Sequence, residues 1–170
     1  MNLQKEKKYI DIFVNLTGDL LCDELVESMK NYHHHKEINT HYHSLFVAYS
    51  VMKLCERLQV INEREIVRAA LLHDFYLYEW YTEKHEEYHI WYHPKESVKN
   101  IEAHFGKLTP MQKNMVLSHM FPTYVELPKS LGAWMLTFCD KRCAIEDYFK
   151  LSTRFEPVYE RINYTVKNND

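Results

Sequence analysis

Apolar residues recur at helical spacing along most of this chain. Ile10, Phe13, Val14, Thr17 and Leu21 share one face, and Gly18-Asp19 predicts a break before Leu20 to Met29 resumes, giving a bent or split first helix. From about Thr40 to Leu58, the stripe of Leu45, Ala48, Tyr49, Met52 and Cys55 marks a core helix. Ile66, Ala69, Ala70 and His73 repeat the pattern in a helix expected to start after an Asn62 N-cap. Asp74 to Trp91 is crowded with aromatics and charges without a clean period, which predicts a loop with a short helix. His93-Pro94 reads as the opening of a helix that carries Val98, Ile101 and Phe105 and stops at Gly106. Thr109-Pro110-Met111-Gln112 has the form of a capping box with proline in the first turn, starting a helix that bears Met111, Met115 and His119 and ends before Pro122 and Pro128. A last long helix is expected from about Lys129 to Leu151, with Ala133, Leu136, Thr137, Asp140, Ala144 and Tyr148 along its inner stripe.

Composition narrows the fold further. With only 3 Gly and 5 Pro in 170 residues, the chain has too few turn signals for a sandwich or barrel, so a single all-α domain over 1–170 is expected. Neither G-x-G-x-x-G nor G-x-x-x-x-G-K-[ST] occurs, and a formal charge of -3 supplies no general field for nucleic acid. Cys22, Cys55, Cys139 and Cys143 contain no C-x-x-C pair, which suits reduced thiols in the cytoplasm. The apolar stretch Tyr9 to Leu16 is interrupted by Asp11 and Asn15, and no run reaches 18 apolar residues, so neither a signal peptide nor a membrane span is expected. Oligomeric state has no signature.

Histidine is the unusual residue, at 11 copies. A His-Asp dipeptide alone means little, since about 0.45 would occur by chance at this composition. The context of His73-Asp74 adds to it: Ile66, Ala69 and Ala70 put His73 on a buried face, and neighbours on a helix can both reach a point near its end. Asp140 lies within an apolar stripe. A buried carboxylate without a cation or several donors is strongly unfavourable, so Asp74 and Asp140 both call for a partner. His43, His93 and His119 stand at the ends of predicted helices. Four His and two Asp suit iron, manganese, cobalt or zinc better than calcium. The competing reading makes His73 a hydrogen-bonded core residue, pairs Asp140 with Lys141 or Arg142, and leaves the other histidines at the surface.

His43-Ser44-Leu45-Phe46-Val47-Ala48, Ala70-Leu71-Leu72-His73-Asp74, His93-Pro94, Ser118-His119-Met120 and Cys139-Asp140-Lys141 together resemble the HD-domain superfamily of metal-dependent phosphohydrolases over about 33–150. The order H…HD…H…H…D is similar to its six-ligand form. That resemblance implies an all-α bundle with a pair of divalent transition metals. His43, His73, Asp74 and Asp140 would hold one ion, and Asp74 would bridge to a second held by His93 and His119. It further implies hydrolysis of a small phosphate ester or nucleotide by a metal-activated hydroxide, with His73 and Asp74 at the catalytic centre and Lys141 and His35 as substrate-binding candidates; Lys95, within the turn after His93, is a further candidate by its position.

One position departs from the pattern. Many relatives carry Lys or Glu three residues after the HD aspartate, and here Leu77 stands there, with Tyr76, Tyr78 and Glu79 the nearby alternatives. The aromatics from Phe75 to Trp91 are candidates either for a pocket wall or for core packing. A di-iron oxygenase of the type that resembles myo-inositol oxygenase, and a non-catalytic metal-binding module, are the other functions this ligand order admits.

Overall fold

The computed structural model describes residues 3–35, 37–83, 85, 87–149 and 151–168, with the side chains of His35 and Ser152 outside that description. Among the described residues there are eight α-helices: α1 Leu3–Leu21, α2 Glu24–Ser28, α3 Thr40–Leu58, α4 Glu63–Leu71, α5 His89–His104, α6 Pro110–Ser118, α7 Leu131–Tyr148 and α8 Glu156–Lys167. One antiparallel hairpin, β1 His33–His35 with β2 Ile38–Asn39, leads into α3. The fold is all-α, and the hairpin is a strap rather than a layer of the core.

Helix α3 is the central element. It is covered by α4 and α7, so every residue from His43 to Met52 is buried and the core surrounds the helix instead of touching one stripe. Helix α6 lies against α5 and α7, while α1 packs on α4 and α8. Gly132 permits the close approach of α7: a Cβ there would sit 2.9 Å from Ile66 Cγ1 and 3.2 Å from Met115 Sδ. The Thr109 capping box is present in both directions, and all four cysteines are free. Among the described residues, no helix is long and apolar enough to cross a membrane.

Several boundaries differ from the sequence reading. Helix α1 continues through Gly18, and the interruption falls at Cys22-Asp23, where the Asp23 carboxylate accepts from Leu25 N and Val26 N as the N-cap of α2. A side chain that satisfies two orphan N–H groups starts a helix more effectively than one glycine stops one. Helix α5 begins at His89, which places Pro94 inside it. The proline ring denies the Ile90 carbonyl its usual N–H partner. Asn62 precedes α4 without making a side-chain cap. Helix α8, which lies beyond the last helix read from the sequence, buries Val158 and Ile162.

Candidate metal centre

Five segments deliver six side chains to one buried point. His43 lies in the first turn of α3, His73 and Asp74 follow the end of α4, His93 is in the second turn of α5, His119 caps α6, and Asp140 is in the middle of α7. All six are buried. Asp140 pairs with histidines: its Oδ1 is 3.1 Å from His43 Nε2 and 3.6 Å from His73 Nε2. Lys141 and Arg142 turn elsewhere, to the His119 carbonyl and to Ser50 Oγ.

Asp74 faces two groups of imidazoles. Its Oδ2 is 3.4 Å from His73 Nε2, and its Oδ1 is 3.4 Å from His93 Nε2 and 3.5 Å from His119 Nε2. The two outer rings approach each other, His93 Nε2 to His119 Nε2, at 2.9 Å.

Each ring is oriented from behind. His73 Nδ1 lies 2.8 Å from Ala70 O, His93 Nδ1 2.8 Å from His89 O, and His119 Nδ1 2.6 Å from Val116 O. A carbonyl only accepts, so these contacts fix an N–H on each Nδ1 and turn each Nε2 inward; on the neutral rings that Nε2 is a lone pair. His43 Nδ1 is held likewise by Asp147 Oδ2 at 2.8 Å. A backbone carbonyl or carboxylate behind an inward imidazole is the arrangement that orients metal-bound histidine.

Electrostatics follow from burial and proximity. At His43, burial opposes the imidazolium, but Asp140 and Asp147 outweigh it and raise the pKa to about 10. His73 is also raised: burial works against it, while Asp74 and Asp140 prevail. Burial drives His93 down to about 4 against the pull of Asp74. Burial together with His73 and His93 drives His119 to about 3. Asp74 and Asp140 would be raised by burial, yet His73 and His34 around the first, and His43 and His73 around the second, hold both well below the carboxylate range. The centre thus presents two carboxylates and two neutral rings.

The donor set fits divalent transition metals. His73 Nε2 and Asp74 Oδ1 are buried without a hydrogen-bond partner among the described residues. Two facing lone pairs at His93 and His119 are repulsive unless a cation stands between them. Ligand bonds of roughly 2.0 to 2.2 Å at right angles put adjacent donors about 3 Å apart, which is the spacing seen here. Three overlapping sets of donor atoms, His34-His43-Asp147, His43-His73-Asp140 and His73-Asp74-His119, each lie within 4.8 Å.

Two contributors were not evident from the sequence. His34 Nε2 reaches Asp74 Oδ2 at 3.1 Å, and its ring stacks on His43 with centroids 3.7 Å apart. It comes from the strand where His35 was expected to serve, and the His35 side chain lies outside the described residues. Asp147 is the other. The buried stripe of α7 runs Ala133, Leu136, Asp140, Cys143 and Asp147, whereas Ala144 is half-buried and Tyr148 is exposed. Asp140 and Asp147, two turns apart, share a face, which was the available signal.

A cavity of about 540 Å³ opens over the centre, with His34, Asp74, His93, His119, Asp140 and Lys141 in its lining. Lys141 Nζ donates to His119 O at 2.9 Å, and burial lowers its pKa despite Asp140. Lys95 does not reach the cavity: it is exposed and tied to Glu87 at 2.6 Å. The position replacing a helper, Leu77, takes a left-handed backbone with φ 55°. Its neighbours are committed elsewhere, Tyr76 to Thr40, Tyr78 to His89 and Glu79 to His33. The aromatic segment divides: Trp80 and Tyr88 wall the cavity, while Phe75, Tyr76 and Tyr78 are buried.

A family model described as HD domain matches residues 40–145. No curated protein and no solved structure gives a match.

Proposed function

The chain belongs to the HD-domain family of metal-dependent phosphohydrolases, and from that premise we propose that it hydrolyses a small phosphate ester or nucleotide at a binuclear metal centre. The observation carrying this reading is the two-sided Asp74 carboxylate, with His73 on the Oδ2 side and His93 and His119 on the Oδ1 side. His43, His73, Asp74 and Asp140 would hold one ion, and Asp74, His93 and His119 the second. Bound there, iron, manganese, cobalt or zinc supplies Lewis acidity and lowers the pKa of water at the site.

The chain's own residues do the rest. The anchored Nδ1 groups keep the Nε2 atoms of four imidazoles aimed at the ions they would hold. Asp74 lines the cavity there, with His73 buried behind it. Lys141 is the one Lys or Arg in the described lining, and its ammonium would meet a phosphoryl oxygen. His34 Nε2, in the wall beside Asp74, hands a proton to the departing oxygen and so fills the role vacated at Leu77. Trp80, Tyr88 and Met120 offer apolar surface to the group that carries the phosphate.

The test is metal analysis of protein purified without chelator, combined with phosphate release from phosphomonoesters, cyclic nucleotides and nucleotides. Phosphate release that depends on a first-row metal supports the proposal. Iron with a redox-dependent absorption spectrum and no phosphate release moves the reading to oxidation.

A further inference from the structure

A second cavity, of about 600 Å³, lies between α1, α3 and α7 and shares no lining residue with the cavity over the metal centre. Its lining holds Lys5, Lys8, Lys53, Arg57 and Arg142 against a single carboxylate, Glu56, in a chain whose formal charge is -3. Lys8 is 3.9 Å from Glu56, and the Arg142 Nε is 3.6 Å from Glu146. Among the described residues, Lys5, Lys53 and Arg57 have no carboxylate within ion-pair distance. Lys5 and Lys53 both address the Tyr9 ring, at 5.8 and 5.9 Å, and Lys53 also lies 5.6 Å from the Tyr49 ring.

Ring faces orient an ammonium without consuming its N–H donors. Two lysines steered onto one tyrosine therefore keep their hydrogen bonds for something else. Gathering like charges in a concave, half-buried place costs stability that an entering anion would offset. Lys53 registers that cost: burial first, then Arg142 and Lys5, depress its pKa against the opposing pull of Glu6.

We propose that this cleft is an anion-binding site for a small molecule bearing two or more linked phosphate groups. Cations contributed by three helices surround a volume, so they match negative charge spread over several oxygens better than one carboxylate or one phosphate. The concavity favours a compact soluble anion over a flat lipid surface. Phe138, 63% exposed in the same lining, gives a face for an apolar or aromatic group attached to the phosphates.

The test is calorimetric titration with tripolyphosphate at 150 mM salt, as an order-of-magnitude physiological ionic strength. It uses the full chain, the double variant Lys53→Met with Arg142→Gln, and Asp74→Asn at the metal centre. Saturable one-to-one binding, weakened at least tenfold in the double variant and retained in Asp74→Asn, is the expected result. The surface pair Lys5→Gln with Arg57→Gln gives the same weakening without touching the half-buried Lys53. Binding lost in Asp74→Asn but unchanged in the cleft variants would assign the anion to the metal centre and overturn the proposal. Absence of saturable binding, or binding only to phosphatidylserine vesicles, overturns it as well. ATP in place of tripolyphosphate reads the contribution of Phe138, through Phe138→Ala.

Discussion

His93 Nε2 and His119 Nε2 stand 2.9 Å apart, and neither ring can relieve the contact by turning over. A flip would withdraw Nδ1 from the carbonyls of His89 and Val116, leaving those buried oxygens without that donor. Moving the N–H to Nε2 on either ring transfers the lone-pair conflict to the carbonyl behind it. The protein is built to hold this pair of rings together, and a shared cation is the simplest agent that makes the arrangement favourable.

Chelation should therefore destabilise the fold. A ligand present at about a hundredfold its Kd contributes about 2.7 kcal/mol, which for a chain of this size is roughly 5 to 10 °C in Tm. Scanning calorimetry before and after EDTA treatment, with restoration by manganese or zinc, checks this. An unchanged Tm in protein proven to lose its metal would contradict it.

Asp74→Ala should abolish phosphate release and remove most bound metal, because both carboxylate oxygens face candidate ligand sets. Asp74→Asn should be nearly as damaging, since an amide offers only one acceptor oxygen. Full metal occupancy in both variants would make Asp74 a structural residue.

Asp147→Asn should weaken metal binding by roughly 10- to 100-fold without removing a ligand, since the loss is of the group that orients His43. The metal titration curve should shift while stoichiometry stays constant. Equal affinity in wild type and variant would confine Asp147 to packing.

Much of this centre is legible in the amino-acid sequence. His43, His93 and His119 are candidates from their places at helix ends and Asp140 from its place in an apolar stripe, whereas their order as one six-ligand set comes from the resemblance to the HD-domain superfamily. Asp147 was missed because the α7 stripe was drawn from Asp140 to Ala144 and Tyr148, whereas the true face advances by three and then four residues, to Cys143 and Asp147. His34 was hidden for another reason. Three identical histidines in a row carry no pattern, and only the hairpin sends His33 to Glu79 and His34 to Asp74, on opposite sides of the strand. The start of α5 was obscured by a segment whose aromatics serve a cavity wall and the core at once.

Lys141→Met should raise KM for a phosphate ester by about 10- to 100-fold, the order expected for losing one charge-assisted hydrogen bond. Metal content should be unchanged. Lys95→Ala should leave KM unaltered, because that side chain is paired with Glu87 outside the cavity. Steady-state kinetics on both variants separates the two lysines, and a reversal of their effects would show that the cavity has been assigned the wrong cation.

The most direct test of a binuclear centre is metal per chain, by mass spectrometry, in wild type, His93→Ala and His119→Ala, with Tm measured on the same samples. Helix-end contacts alone are worth about 0.3 to 1 kcal/mol and would register as lower stability only. Two ions per chain in wild type falling to one in each variant is the predicted result. Unchanged stoichiometry with only a reduced Tm would contradict the account.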